Sequence, residues 1–181
     1  MVIIGIDFKD LTSTLIRYFK NPVAAMKNMP EWDWKTLIAL QILTSLISGI
    51  IASFLNFSIW RILQAILVIP PVALVTAGVT SLFLYYSFLF LSQQNLPHKD
   101  LLTLVILSNI PFFIFHTLSP FFPPITLLGF LFSALLLIVG LVERFHLPRP
   151  LVIKIVGSIW IIYLIIWGLG QIESYELGHR F

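Results

Sequence analysis

The chain has 181 residues, 59% of them hydrophobic and only 10% charged, with a mean hydropathy of +0.99. Soluble domains are about half apolar and about a quarter charged, so this composition excludes an ordinary soluble domain and points to a polytopic membrane protein. The 11 Lys and Arg against 8 Asp and Glu form no basic stripe interleaved with stacking aromatics, which argues against a nucleic-acid partner, and the lack of cysteine excludes disulfides, thiolate metal sites and cysteine nucleophiles.

The apolar run before Asp7 is too short for a secretory signal, so insertion is expected to rely on internal spans. In residues 8–29, Phe8, Leu11, Leu15, Tyr18 and Phe19 recur at helical spacing, while Asp10, Ser13, Arg17 and Lys20 fall towards another face. This predicts an N-terminal amphipathic helix, suited either to an anionic membrane interface or to packing beneath the bundle. Asn21 and Pro22 end it, because the residue before proline is pushed out of the helical region. Asp33 is placed to cap a helix starting near Trp34, and the indoles of Trp32 and Trp34 suit the boundary between water and lipid. Residues 1–35 therefore read as a cytoplasmic or interfacial segment.

Residues 36–170 read as an all-α transmembrane domain with five spans, at about 36–57, 71–92, 101–118, 125–142 and 151–170. In the first span Ser45, Gly49 and Ser53 recur every four residues, a stripe that admits a neighbouring helix closely. Residues 58–92 would make a helix of about 50 Å, too long for one crossing, and Pro70–Pro71 offers the division. Residues 58–69, with Trp60, Arg61 and Gln64, are then expected to be interfacial or re-entrant. Ala73, Ala77 and Ser81 repeat the small-residue stripe, and the two stripes are candidates to meet.

The third span, LLTLVILSNIPFFIFHTL, carries Ser108, Asn109 and Pro111 near its middle. Pro111 gives no N–H to the Leu107 carbonyl and crowds it, so a kink with one freed acceptor is expected. Lipid cannot satisfy that acceptor, which leaves neighbouring helices, the Ser108 hydroxyl, the Asn109 amide or a water. Asn109 either makes a helix–helix hydrogen bond, worth about 0.6 to 2 kcal/mol, or lines a polar gap for a headgroup or substrate. The loop SPFFPP follows, and the fourth span places Gly129 and Ser133 four apart. Glu143, Arg144, Arg149 and Lys154 form a charged cluster between the fourth and fifth spans, a clamp or a headgroup site, and residues 171–181 form a short polar tail.

No Asp or Glu falls inside a predicted span, and no nucleophilic serine motif, phosphate-binding glycine loop or pair of catalytic acids is visible. His98, His116, His146 and His179 lack ligand spacing, so neither a metal, a cofactor nor a catalytic residue is expected. Nine of the 11 Lys and Arg fall on the side of the N-terminus, Arg61 and Arg180 on the other, which predicts a cytoplasmic N-terminus and an external C-terminus.

The order of parts is a basic, proline-containing approach (LIRYFKNPVAAMKNMPEWDW), a first span, a long aromatic second span, SNIP in the third and GLVERF closing the fourth. Over about residues 15–170 this resembles the Yip1 domain family of small five-span membrane proteins. The resemblance implies five helices with the N-terminus in the cytoplasm, and for eukaryotic members a role in early secretory traffic with small GTPases or their membrane partners. This chain carries no long cytosolic region ahead of its first span and so resembles a prokaryotic version, expected in the cytoplasmic membrane. Two functions follow as expectations. One is a non-enzymatic membrane-organising or trafficking-type adaptor, acting through lipid contacts and through self-association or other membrane proteins. The other is a small permease or scramblase-like lipid translocator that uses the polar, kinked third span.

Overall fold

The computed structural model describes the backbone of residues 2–3, 6–55 and 59–178, and side chains for residues 11–55 and 59–170. The predicted first-span end at Phe57, the start of the next segment at Ser58, and the tail residues His179 and Arg180 lie outside it. Two short antiparallel strands, β1 (Val2–Ile3) and β2 (Ile6–Asp7), precede nine helices among the described residues. These are α1 (Phe8–Lys20), α2 (Pro22–Lys27), α3 (Trp34–Leu55), α4 (Ile59–Leu67), α5 (Ile69–Ser92), α6 (His98–Ser108), α7 (Ile110–His116), α8 (Ile125–Phe145) and α9 (Arg149–Gly178). Helix α9 thus continues past residue 170, where a tail was expected.

Five helical runs are long and apolar enough to cross a membrane: Trp34–Leu55, Ile59–Ser92, His98–His116, Ile125–Phe145 and Arg149–Gly170. The outer surface agrees with that reading. Ile47, Phe54, Val75, Val79, Phe90, Leu135, Ile161 and Ile166 are all exposed, an apolar exterior that water would not tolerate over such an area. The third run is the axis of the bundle, since every residue from 101 to 108 is buried, against α3, α5 and α8.

Local chemistry sets the helix ends. The Thr36 N–H donates to Asp33 Oδ1 at 2.9 Å, the expected cap on α3. Helices α5 and α8 end on residues in the left-handed region, Gln93 and His146, both at φ 54°, whose N–H groups return to Phe88 and Leu141. Tyr85 stacks on His98 across the α5–α6 turn with ring centroids 3.7 Å apart, and its hydroxyl donates to Asn95 Oδ1.

The chain divides into α4 and α5 at Val68, with Pro70 and Pro71 in the first turn of α5, and both helices pack along α3. Ser53 Oγ bonds the Arg61 carbonyl at 3.0 Å, Gly49 faces Ala65, and Gln41 Nε2 donates to the Ala73 carbonyl at 3.2 Å. Each step back along α3 is matched by an equal step forward along α4 and α5, so one antiparallel register runs through the proline pair. The chain stays helical there because Val68 N–H bonds the Gln64 carbonyl at 2.9 Å and Val72 N–H bonds that of Val68 at 3.1 Å. Residues 59–69 pack beside the last third of α3. The small-residue stripes consequently meet out of step. The stripe of Ser45, Gly49 and Ser53 faces α4 and Ile69, while Ala73 is reached by Gln41, and Ala77 and Ser81 are buried further along α5.

At the other end of the bundle α2 packs on α8, and Lys27 Nζ lies 2.9 Å from Glu143 Oε2. Glu143 therefore pairs with the N-terminal segment and not with Lys154, and this is the one ion pair among the described residues. In α1, Leu11, Thr14 and Tyr18 are buried while Ile16 and Phe19 are exposed. Burial pushes the Tyr18 phenol above its usual range, and its oxygen has no hydrogen-bond partner among the described residues.

Candidate functional site

The third span, divided at Asn109 into α6 and α7, distributes its polar residues over separate places. Ser108 Oγ donates back to the Leu104 carbonyl at 2.5 Å and lies 3.2 Å from that of Val105, so it is not the partner of Leu107. Asn109 falls between α6 and α7; its N–H bonds the Val105 carbonyl at 3.0 Å and its own carbonyl accepts from Phe113. Ser108 and Asn109 line an inner gap of about 30 Å³ with Thr80, Ser133, Trp160 and Tyr163. Pro111 points elsewhere, into an apolar groove of about 280 Å³ shared with Tyr18, Phe19 and Pro22 of the N-terminal helices. The divergence is geometric, because residues two apart on a helix are rotated by about 200°.

The larger recess lies where α3 turns into α4 and α7 runs into the loop before α8. It measures about 730 Å³, within the range of sites that bury a small ligand. Its polar wall comes from Ser53, Arg61, Gln64, His116 and Thr126, and its aromatic wall from Phe112, Phe130 and Trp167. Among the described residues Arg61, which is exposed, is the one fully charged side chain in that lining, and no carboxylate is paired with it. Ser53 fixes the Arg61 backbone: Ser53 Oγ sits 2.7 Å from the Gly49 carbonyl and 3.0 Å from the Arg61 carbonyl, sharing its proton between them. Gly49 sits at a close crossing, where a Cβ would come within 3.0 Å of Ile69 Cδ1 and 3.1 Å of Ala65 Cβ, so these side chains would have to give by a few tenths of an ångström.

The His116 ring is oriented by α3. Ser48 Oγ gives its proton to the Phe113 carbonyl at 2.7 Å and lies 3.3 Å from His116 Nδ1. This contact holds the ring edge carrying Nδ1 against α3, and which of the two atoms donates depends on the His116 tautomer. Ser48 was in no predicted site. Neither were Arg61, Gln64 or His116; the available signal was the pair Arg61 and Gln64, three apart on one face of an otherwise apolar helix. Of the predicted packing residues, Gly49 and Ser53 line this recess and Ser133 lines the inner gap. Gly129 abuts α7, where an added Cβ would meet the Phe112 Cα at 2.9 Å. The cluster of Glu143, Arg144, Arg149 and Lys154 lies outside both cavities.

The architecture defines an α-helical protein built for a membrane, with five apolar runs of spanning length and a cationic recess between them. None of the family models, curated proteins or solved structures compared with the chain matches it.

Proposed function

We propose that this protein handles membrane lipid, holding an anionic headgroup in the large recess while the acyl chains run along its apolar flank. The observation that carries this reading is Arg61, a permanent cation lining a 730 Å³ recess with no carboxylate paired to it among the described residues. A guanidinium favours phosphate or carboxylate, which its planar fork of N–H groups grips at two oxygens. Gln64, Ser53 and His116 add neutral hydrogen-bonding groups around the same space, and Trp167 and Phe130 supply apolar contact. We place the N-terminus in the cytoplasm from the distribution of basic residues, which sets the recess on the opposite side of the membrane.

The test is lipid retention. The protein is purified from bilayers containing equal phosphatidylglycerol and phosphatidylcholine, and the lipids that remain bound are quantified. Phosphatidylglycerol should be enriched, and Arg61→Gln should reduce the enrichment about tenfold or more, because a charge-assisted hydrogen bond contributes about 1.5–3 kcal/mol. Equal retention of the two lipids by the parent protein overturns the proposal. Flux of fluorescent phosphatidylglycerol across liposomes, measured against empty vesicles, then distinguishes lipid movement from lipid binding.

A second reading, membrane organisation of the kind the Yip1 resemblance implies, is favoured by α1. Its exposed Ile16 and Phe19 lie beside Arg17 and Lys20, a combination suited to an anionic membrane interface. Vesicle flotation of the parent and of Phe19→Asp, together with recovery of crosslinked partners, tests it; unchanged flotation and no recovered partner count against it.

A further inference from the structure

The inner gap beneath the recess holds polar groups that the protein itself leaves unpaired. Ser133 is 7% exposed and its Oγ has no partner among the described residues; Trp160 Nε1 is buried and likewise unpartnered. Both line the gap, as does Asn109, whose side chain forms no hydrogen bond among the described residues. Thr80 Oγ1 and the Tyr163 hydroxyl, 2.5 Å apart, satisfy each other on one wall. Buried polar groups are nearly always hydrogen-bonded, and more stringently so in a bundle surrounded by lipid. The gap has room for a molecule the size of water and no charged side chain in its lining. An indole N–H can only donate, so the occupant must accept; a hydroxyl and an amide can do both. These requirements describe a neutral molecule that accepts and donates at once.

One aromatic ring separates the gap from the large recess. Phe130 lines both spaces. Its ring stacks on Phe112, a wall of the recess, at 4.6 Å between centroids, and on Tyr163, a wall of the gap, at 5.7 Å. We infer that the inner gap is a hydration site in which water bridges Asn109, Ser133 and Trp160, and that it exchanges with the recess past the Phe130 ring. The third span is then wetted to the depth of Asn109 from one side. This does not depend on what the recess binds.

The chain contains no cysteine, so single thiols can be introduced directly. Methyl methanethiosulfonate is small and reacts with the thiolate, a form that a thiol in dry apolar surroundings does not reach. In the full-length protein reconstituted in liposomes, Ser133→Cys should react at least tenfold faster than Ser45→Cys, a fully buried position that lines neither cavity. Adding Phe130→Ala should speed the reaction at position 133 a further tenfold and leave position 45 unchanged. Phe130→Leu replaces Phe130→Ala should the latter fail to give monodisperse protein, with a smaller acceleration expected. A rate at position 133 no higher than at position 45 in both backgrounds overturns the hydration site. A fast rate at position 133 that is indifferent to Phe130 overturns the route.

Discussion

Replacing Gly129 by Ala adds one methyl group where α8 crosses α7, and the structure states what it would strike. The new Cβ would lie 2.9 Å from the Phe112 Cα, 3.1 Å from the Phe115 Cβ and 3.3 Å from the Phe112 carbonyl oxygen. Unstrained carbon contacts sit at about 3.5–4.0 Å, so the helices must part by roughly 0.6 Å or more. The obstacle is backbone, which cannot rotate away as a side chain can. Overpacking of this kind costs about 1–3 kcal/mol, and the better helix propensity of Ala returns at most about 1 kcal/mol. A net loss of about 1–2 kcal/mol is expected. Because Phe112 is the residue displaced, the Phe112–Phe130 stack at 4.6 Å should loosen with it. Gly157 and Gly168, with nothing within 4 Å of a built Cβ, provide controls whose Ala variants should be neutral or slightly stabilised. Reversible unfolding in mixed micelles, followed by helical circular dichroism, measures all three. A Gly129→Ala protein as stable as the parent, or one no worse than the two controls, refutes the assigned α7–α8 contact.

Three further outcomes follow from particular contacts. Gln41→Leu should change stability by no more than about 1 kcal/mol, since it removes the bond to the Ala73 carbonyl but also a buried Oε1 that has no partner among the described residues; a larger loss in the same unfolding assay would show that Oε1 is bonded. Lys27→Ala breaks an ion pair whose members are 47% and 45% exposed, so global stability should fall by less than about 1 kcal/mol, while limited trypsin digestion at Arg17 and Lys20 should quicken as α2 loosens from α8. Asp33, held below the usual carboxylate range by hydrogen bonds from the Thr36 side chain and backbone, contributes stability that is complete above the ordinary carboxylate pKa and is lost as pH falls through its lowered value. Thermal melts from pH 6 to pH 2 should therefore show an acid-side decline that Asp33→Asn reduces; identical profiles for the two proteins contradict the cap.

Much of the architecture is legible from single stretches of chain. An apolar run either reaches across about 30 Å of hydrocarbon or does not, so the five spanning helices could be read from composition and length. The cap at Asp33 and the break after Asn109 act within one helical turn, and residue type alone announces them. The proline pair shows the boundary of such reading. Locally, Pro70 and Pro71 remove two backbone donors and invite a division; across the helix pair, Gly49 against Ala65 and Gln41 against Ala73 keep α4 and α5 in one register along α3. The prolines sit in the first turn of α5, where their missing N–H groups cost no helical bond, so the division and the shared register coexist.

The site lies beyond what spacing can reveal. Arg61 looked like one of two basic residues on the minor side of the membrane, and His116 like an isolated ring; neither has a near neighbour in sequence that explains it. They meet because α4 folds back on α3 and Ser48 reaches across to α7. By itself, then, the sequence determined that this chain is helical, apolar throughout and divided into five runs of membrane length, because those properties are sums over neighbouring residues. Only the tertiary structure decided that Ser108 and Asn109 face one cavity and Pro111 another, and that a lone arginine faces the recess. Those outcomes depend on the register between helices far apart in sequence, and register is set by which surfaces fit.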